Sequence, residues 1–389
     1  MPVHYHRDDK SAVTLDFPKG SRILTLKANN GLTTVTKREL RAVNQHVRMW
    51  DENFMVQLAV IQGPGTDFCS GLNLRDLRGS EQQVRVTLEA LARLVTSMRR
   101  CRAPLISLIN GASYGMAGYA LASGRYRVCT EESMFCIPEA SLGLGLASGL
   151  SFILPRLCDG HKPLGLCLAL TGMALRGADL VSAQLASQYF TCATLQSVIE
   201  RITDVQSFPH NPFEKEHLNT TGAGREAVLN IIEEHALVSW NIDGLTTNDY
   251  TEKDKDGKPV PHSTPLHGIL PEVEHVFSVD SVEQAMENLT ESKEPWAQLA
   301  LDRMRKASPL SLKVMFEQVT RGATKGIQEC LDEEFAVNMR LFAMEDFGRA
   351  MDARDNPEKE LEWSSGPLES VSADQVAALF EPMDRPRRP

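Results

Sequence analysis

Three short segments of this 389-residue chain carry residues that could do chemistry. The first holds an isolated carboxylate. From Ser133 to Pro155 the sequence SMFCIPEASLGLGLASGLSFILP has one charged residue, Glu139, directly after Pro138. A carboxyl in apolar surroundings keeps its proton to higher pH, so Glu139 could serve as general base or nucleophile. It could equally cap a neighbouring glycine-rich turn or reach solvent. The second segment is Asn110–Gly118 (NGASYGMAG), in which a turn at Gly115 leads into a helix. Small residues let a backbone or ligand approach closely, and a helix N-terminus leaves amides free to hold a developing oxyanion. A tight strand–helix crossing would use the same residues. The third is Phe68–Asn73 (FCSGLN), a phenylalanine, small residues and an amide after an apolar strand. It could supply another main-chain N–H, or simply connect two elements.

These segments need elements to position them. Arg22–Lys27 and Val56–Gln62 read as strands, the latter β-branched and buried, ending in the turn Gly63-Pro64-Gly65. Between them, Thr36-x-x-Glu39 is a capping box opening a helix with Leu40, Val43, Val47 and Trp50 on one face. A second helix buries Val84, Leu88, Leu91, Val95 and Met98. Leu105–Ile109 is the strand that feeds the glycine turn. Strand, turn and helix recur, which predicts an α/β core. Residues 1–20 read as an N-terminal tail, 21–206 as the core, and 207–280 as a polar connecting region with a charged Pro/Gly-rich insertion at 244–268. Residues 281–389 read as helical, with caps at Ser281, Ser308 and Ser372 and a helix over Glu333–Phe347.

Composition narrows the function. With 41 Lys and Arg against 51 Asp and Glu, the net charge of −10 argues against a broad nucleic-acid surface. No apolar run approaches the roughly 20 residues that span a bilayer, so no membrane partner is expected. The eight cysteines form no CxxC pair and sit mostly in apolar runs, as buried thiols of a reducing compartment do. No HxxxH or HExxH occurs, so no metal is expected. The N-terminus MPVHYHRDDKSAV lacks the apolar stretch of a secretory signal, and its early acids suit a transit peptide poorly.

The order FCSGLNL, PLISLINGASYGMAG, SMFCIPEASLGLG, LPRL and ALTGMALRGADLVSAQLASQYF resembles the crotonase (enoyl-CoA hydratase/isomerase) superfamily. It is most similar to the 3-hydroxyisobutyryl-CoA hydrolase branch, whose longer C-terminal region resembles Ala307–Gln318, Glu333-Glu-Phe335 and Met339-Arg340. The resemblance implies a crotonase-like α/β spiral of ββα turns followed by a mainly helical C-terminal region. It implies an acyl-CoA substrate, with coenzyme A as part of that substrate and no separate cofactor. By position it makes Glu139 the catalytic acid or base. It also makes the backbone amides of Ser70 and Met116 the oxyanion hole, with Gly71, Gly115 and Gly143 lining the substrate site. A mitochondrial location follows from the resemblance alone.

The chain departs from that pattern at telling positions. The hydrolase branch has an aspartate eight residues after the glutamate, and here that position is Ala147. The family's triple glycine reads Gly115-Met116-Ala117, and the second acid of hydratases falls on Tyr119. An eroded site with weak or absent acyl-CoA thioester hydrolysis is therefore expected. One alternative is a non-catalytic subunit among mitochondrial ribosomal proteins, since hydrolase-branch homologues are built into some mitochondrial small subunits. Another is an acyl-CoA binder that does not hydrolyse.

Overall fold

The computed structural model describes residues 13–16, 21–28, 31–53, 56, 58–65, 67–78, 80–205 and 266–383. Its core winds through repeated turns that each give one strand to each of two sheets. The six-stranded sheet runs in the order β1 (Val13–Asp16), β2 (Ser21–Leu26), β3 (Leu58–Gln62), β5 (Leu105–Ile109), β7 (Tyr126–Cys129) and β10 (Gln188–Tyr189). The four-stranded sheet runs β4 (Asp67–Cys69), β6 (Ala112–Tyr114), β8 (Met134–Cys136) and β9 (Leu175–Arg176). Pairing is parallel except at β1/β2 and β8/β9. Each turn thus enters the large sheet, crosses to the small one, and leaves through a helix. All five residues of β5 are buried, which suits a parallel strand covered on both faces.

Helix α1 (Lys37–Glu52) starts at the expected capping box, with Thr36 and Glu39 bonding reciprocally, and buries Leu40, Val43, Val47 and Trp50. Helix α2 (Glu81–Arg100) packs beside it, and the short helix α3 (Gly115–Ala122) follows β6 without a break. The C-terminal helices share cores with the spiral. Leu331, Phe335 and Val337 join Leu91, Leu94 and Val95 in one apolar cluster, while Leu312 and Met315 join Leu154 and Leu168 in another.

The structure revises several boundaries. Val13–Asp16, placed in the tail by sequence, pair antiparallel with Ile23–Leu26 and bury Val13. Such a short edge strand carries no period that could reveal it. The helix Leu266–Phe277 begins inside the region assigned to the polar connection, while residues 206–265, including most of the insertion, lie outside the described residues. The single helix expected over Glu333–Phe347 is two, Ile327–Ala343 and Glu345–Asp355, separated at Met344 by extended backbone. A helix at Pro295–Lys306, opened by proline in its first turn, went unread in the sequence.

Candidate active site around Glu139

Glu139 opens a short 3-10 turn, Glu139–Leu142, that follows β8 and ends at Gly143 in left-handed geometry (φ +72°). Its side chain turns back to the start of α3. The Met116 amide donates to Glu139 Oε1 at 2.6 Å. Glu139 Oε2 is buried and has no hydrogen-bond partner among the described residues. With only 3% of its surface exposed, the carboxyl is pushed up to about 7 by burial, against the opposing pull of the Met116 amide. It therefore caps a helix, but the one preceding it rather than the glycine turn that follows.

Gly115 makes that contact possible. Its backbone is left-handed (φ +57°), and a Cβ there would lie 2.1 Å from Glu139 Oε1. Any other side chain would meet both a backbone penalty and the carboxyl. Met116 itself is 3% exposed and belongs to the same apolar cluster as Leu91 and Ala147.

Ser70 is committed elsewhere. Its amide donates to the Thr33 carbonyl at 2.9 Å, its hydroxyl donates to Asp67, and that hydroxyl accepts from the Thr33 amide. The cause is Gly71, whose φ of +96° rotates the chain at this point. One residue on, Val35 and Leu72 form a parallel bridge, closed by Val35 N–H to Gly71 O and Asn73 N–H to Val35 O. In such a bridge the central residue's own N–H points away from the partner strand. Leu72 N–H therefore points away from Val35 and makes no hydrogen bond among the described residues, and a Cβ on the neighbouring Gly71 would lie 3.8 Å from Tyr114.

The segment after Glu139 is gripped by polar side chains from distant helices. The Ser308 amide donates to Ala140 O, and Asp346 packs under Gly143, where a Cβ would come within 3.1 Å. Gln318 accepts from Leu146 N–H and donates to Leu146 O, and Asn338 does the same for Gly145 N–H and Leu146 O. Glu334, 2% exposed, accepts from Gly149 N–H, Ser151 N–H and the Ser151 hydroxyl. Ala147 sits in the middle of this clasp, buried and apolar. Sequence reading singled out neither this set nor Leu72. Three polar residues at helical spacing to apolar neighbours (Glu334, Asn338 and, one helix earlier, Gln318) were the available signal.

The other candidates offer less. Tyr119 is buried with its ring 6.4 Å from Phe135, and burial raises its phenol. Burial also pushes the Cys136 thiol, beside Glu139, up to about 12, so it is no nucleophile at neutral pH. Among the described residues no cluster of His, Cys, Asp and Glu could hold a metal ion, and no helix is long and apolar enough to cross a membrane.

Comparison with known proteins gives the family. Residues 21–380 match the enoyl-CoA hydratase/isomerase family. The mitochondrial 3-hydroxyisobutyryl-CoA hydrolase of Bos taurus is 25% identical over 98% of this chain and 91% of its own length, and that of Gallus gallus is 24% identical over 97% and 91%. The small ribosomal subunit protein mS47 of Arabidopsis thaliana is 25% identical over 96% of this chain and 86% of its own. In fold the chain is similar to a carnitinyl-CoA dehydratase from Mycobacterium thermoresistibile, with a TM-score of 0.77, 21% identity, and 96% and 97% of the two chains covered. With the strand order and the full-length match in agreement, the chain belongs to the enoyl-CoA hydratase/isomerase family, and its relatives place it on the 3-hydroxyisobutyryl-CoA hydrolase branch.

Proposed function

We propose that this protein carries an acyl-CoA thioester hydrolase site of the 3-hydroxyisobutyryl-CoA type whose turnover is weak or absent. One observation carries the reading: Glu139 Oε1 holds the Met116 amide that a thioester oxygen would need. Met116 N–H and Leu72 N–H are the donors this reading assigns to that oxygen, since the Ser70 amide is spent on Thr33. For the first to act, Glu139 must swing off it. That exchange costs the Met116–Glu139 hydrogen bond before any chemistry begins, about 0.5–1.5 kcal/mol for a neutral carboxyl and more for an ionised one.

In its resting position burial raises this carboxyl to about 7, and a carboxyl of raised proton affinity is suited to moving a proton near neutral pH. As a base it would take a proton from the attacking water, and the two amides would stabilise the tetrahedral oxyanion. The thiolate of coenzyme A would then leave with a proton returned by the same group. Ala147 offers no second carboxyl to orient water or the substrate hydroxyl. General acid–base assistance is typically worth about 10²–10⁴-fold, which sets the scale of the expected deficit. Mitochondrial location is carried by the names of the relatives.

Hydrolysis of 3-hydroxyisobutyryl-CoA by the purified chain tests the reading, with Glu139→Gln in parallel. Slow turnover that the substitution abolishes supports a residual enzyme, and no turnover with retained CoA-thioester binding supports a decayed one. Rates typical of the branch would refute the proposal, as would turnover indifferent to Glu139→Gln.

A second reading, a structural subunit of the mitochondrial small ribosomal subunit, draws support from the likeness to mS47 over nearly the whole chain. It predicts co-sedimentation with small subunits in native extract. A free protein of monomer or small-oligomer size would exclude it.

A further inference from the structure

The solvent face of α1 is basic where the rest of the protein is acidic. Helix α1 carries Lys37, Arg38, Arg41 and Arg48 against Glu39, Asp51 and Glu52, in a chain whose net charge is −10. Arg38, Arg41, Gln45, Arg48 and Met49 are all exposed. At 3.6 residues per turn they share one face about 100° wide. Among the described residues Arg38, Arg41 and Arg48 have no acidic partner. Beyond α1, Arg100 and Arg102 are also exposed. Arg102 is 78% exposed at its side chain and ties the ends of α1 and α2 together through Asp51. Asp51, paired with Arg102, and Glu52 are the opposing charges at this end.

Helix stability does not explain these arginines. A cation near a helix N-terminus opposes the macrodipole, yet Arg38 lies in the first turn of α1 and Arg41 just beyond it, and its last turn has no basic residue. The macrodipole gains nothing from the arrangement, which leaves these side chains open to a partner. The cations of the stripe are arginines, the side chain whose planar fork matches phosphate or carboxylate oxygens in pairs. The exposed Met49 (48%) adds an apolar contact that water does not reward.

We propose that the exposed face of α1 docks the phosphate backbone of RNA. The stripe is narrow, a few phosphates long, so it is compatible with the overall acidity. The proposal supplies a partner for the subunit reading and takes its setting from it, but binding is measured on the purified chain. Sedimentation and RNA binding can therefore fail independently.

The test is fluorescence anisotropy of a labelled RNA hairpin over a salt series, with the full chain and with Arg38→Glu/Arg41→Glu/Arg48→Glu. Each phosphate contact contributes about −0.7 to −0.9 to the log–log salt slope. The triple substitution should flatten the slope by about 2 and weaken low-salt affinity at least about tenfold. Because the three side chains are exposed and acids suit the N-terminal end of α1 better than cations, the melting temperature should not fall. Absence of hairpin binding at low salt would overturn the proposal, and so would a slope unchanged by the charge reversal. Binding of a polyglutamate peptide in place of RNA would assign the face to an acidic protein and overturn it as well.

Discussion

Replacing Glu139 by glutamine should make the protein more stable at alkaline pH and leave it nearly unchanged in acid. In the folded chain the carboxyl is raised to about 7 by burial, from an ordinary value of 4.5. Between those values the native state holds a proton that the unfolded chain has released. Stability from this group is complete below pH 4.5, declines as pH rises toward 7, and is gone above it. A gap of about 2.5 pH units corresponds to about 3 kcal/mol at 1.36 kcal/mol per unit. Glutamine mimics the protonated acid. Its carbonyl can accept from the Met116 amide, and its NH₂ occupies the Oε2 position, which has no partner among the described residues. Urea unfolding of both proteins at pH 5 and pH 8 reads the effect directly. The stability difference should shift by about 2–3 kcal/mol in favour of the variant between the two, with unchanged denaturant slope. A difference independent of pH would refute the claim that Glu139 is held as a neutral acid in its folded site.

Gly115→Ala should cost at least about 2 kcal/mol, from left-handed backbone plus the clash with Glu139 Oε1, measured as a fall in melting temperature. Glu334→Ala strands three buried donors and should cost about 3–5 kcal/mol in urea unfolding, whereas Glu334→Gln should retain part of that. Ser148 is buried and left-handed (φ +65°), and its hydroxyl has no partner among the described residues, so Ser148→Gly should stabilise the chain by up to about 1 kcal/mol in the same assay.

What could be read from sequence was local. The capping box at Thr36 and the face of α1 are set by residues within two turns of each other. Glu139 declared itself because 22 neighbouring residues carry no charge, and the uncharged stretch is the same burial that raises its proton affinity. The donor pair was less accessible. Whether Ser70 or Leu72 turns inward depends on Gly71 and on pairing with Thr33 and Val35, a register between separate segments. A residue's type does not restrict where its amide points, so no side chain could announce it. The bond from Met116 to Glu139 is hidden for the same reason, since it joins a main-chain donor to a group 23 positions away. Asn338 and Gln318 looked like ordinary polar positions on helices until their partners arrived from residues 145 and 146.

The clasp on residues 145–151 also sets an order of assembly. Glu139 and its loop leave the translating ribosome long before Gln318, Glu334 and Asn338 are made, at separations of 172 to 193 residues. Until then the loop's amides and its apolar face stay uncovered, and closing so long a loop is slow. A chain stopped before residue 318 would hold every strand of both sheets yet lack the means to shape the ground around its acid. Nascent chains of this protein should therefore stay dependent on chaperones until the helices bearing these side chains have emerged.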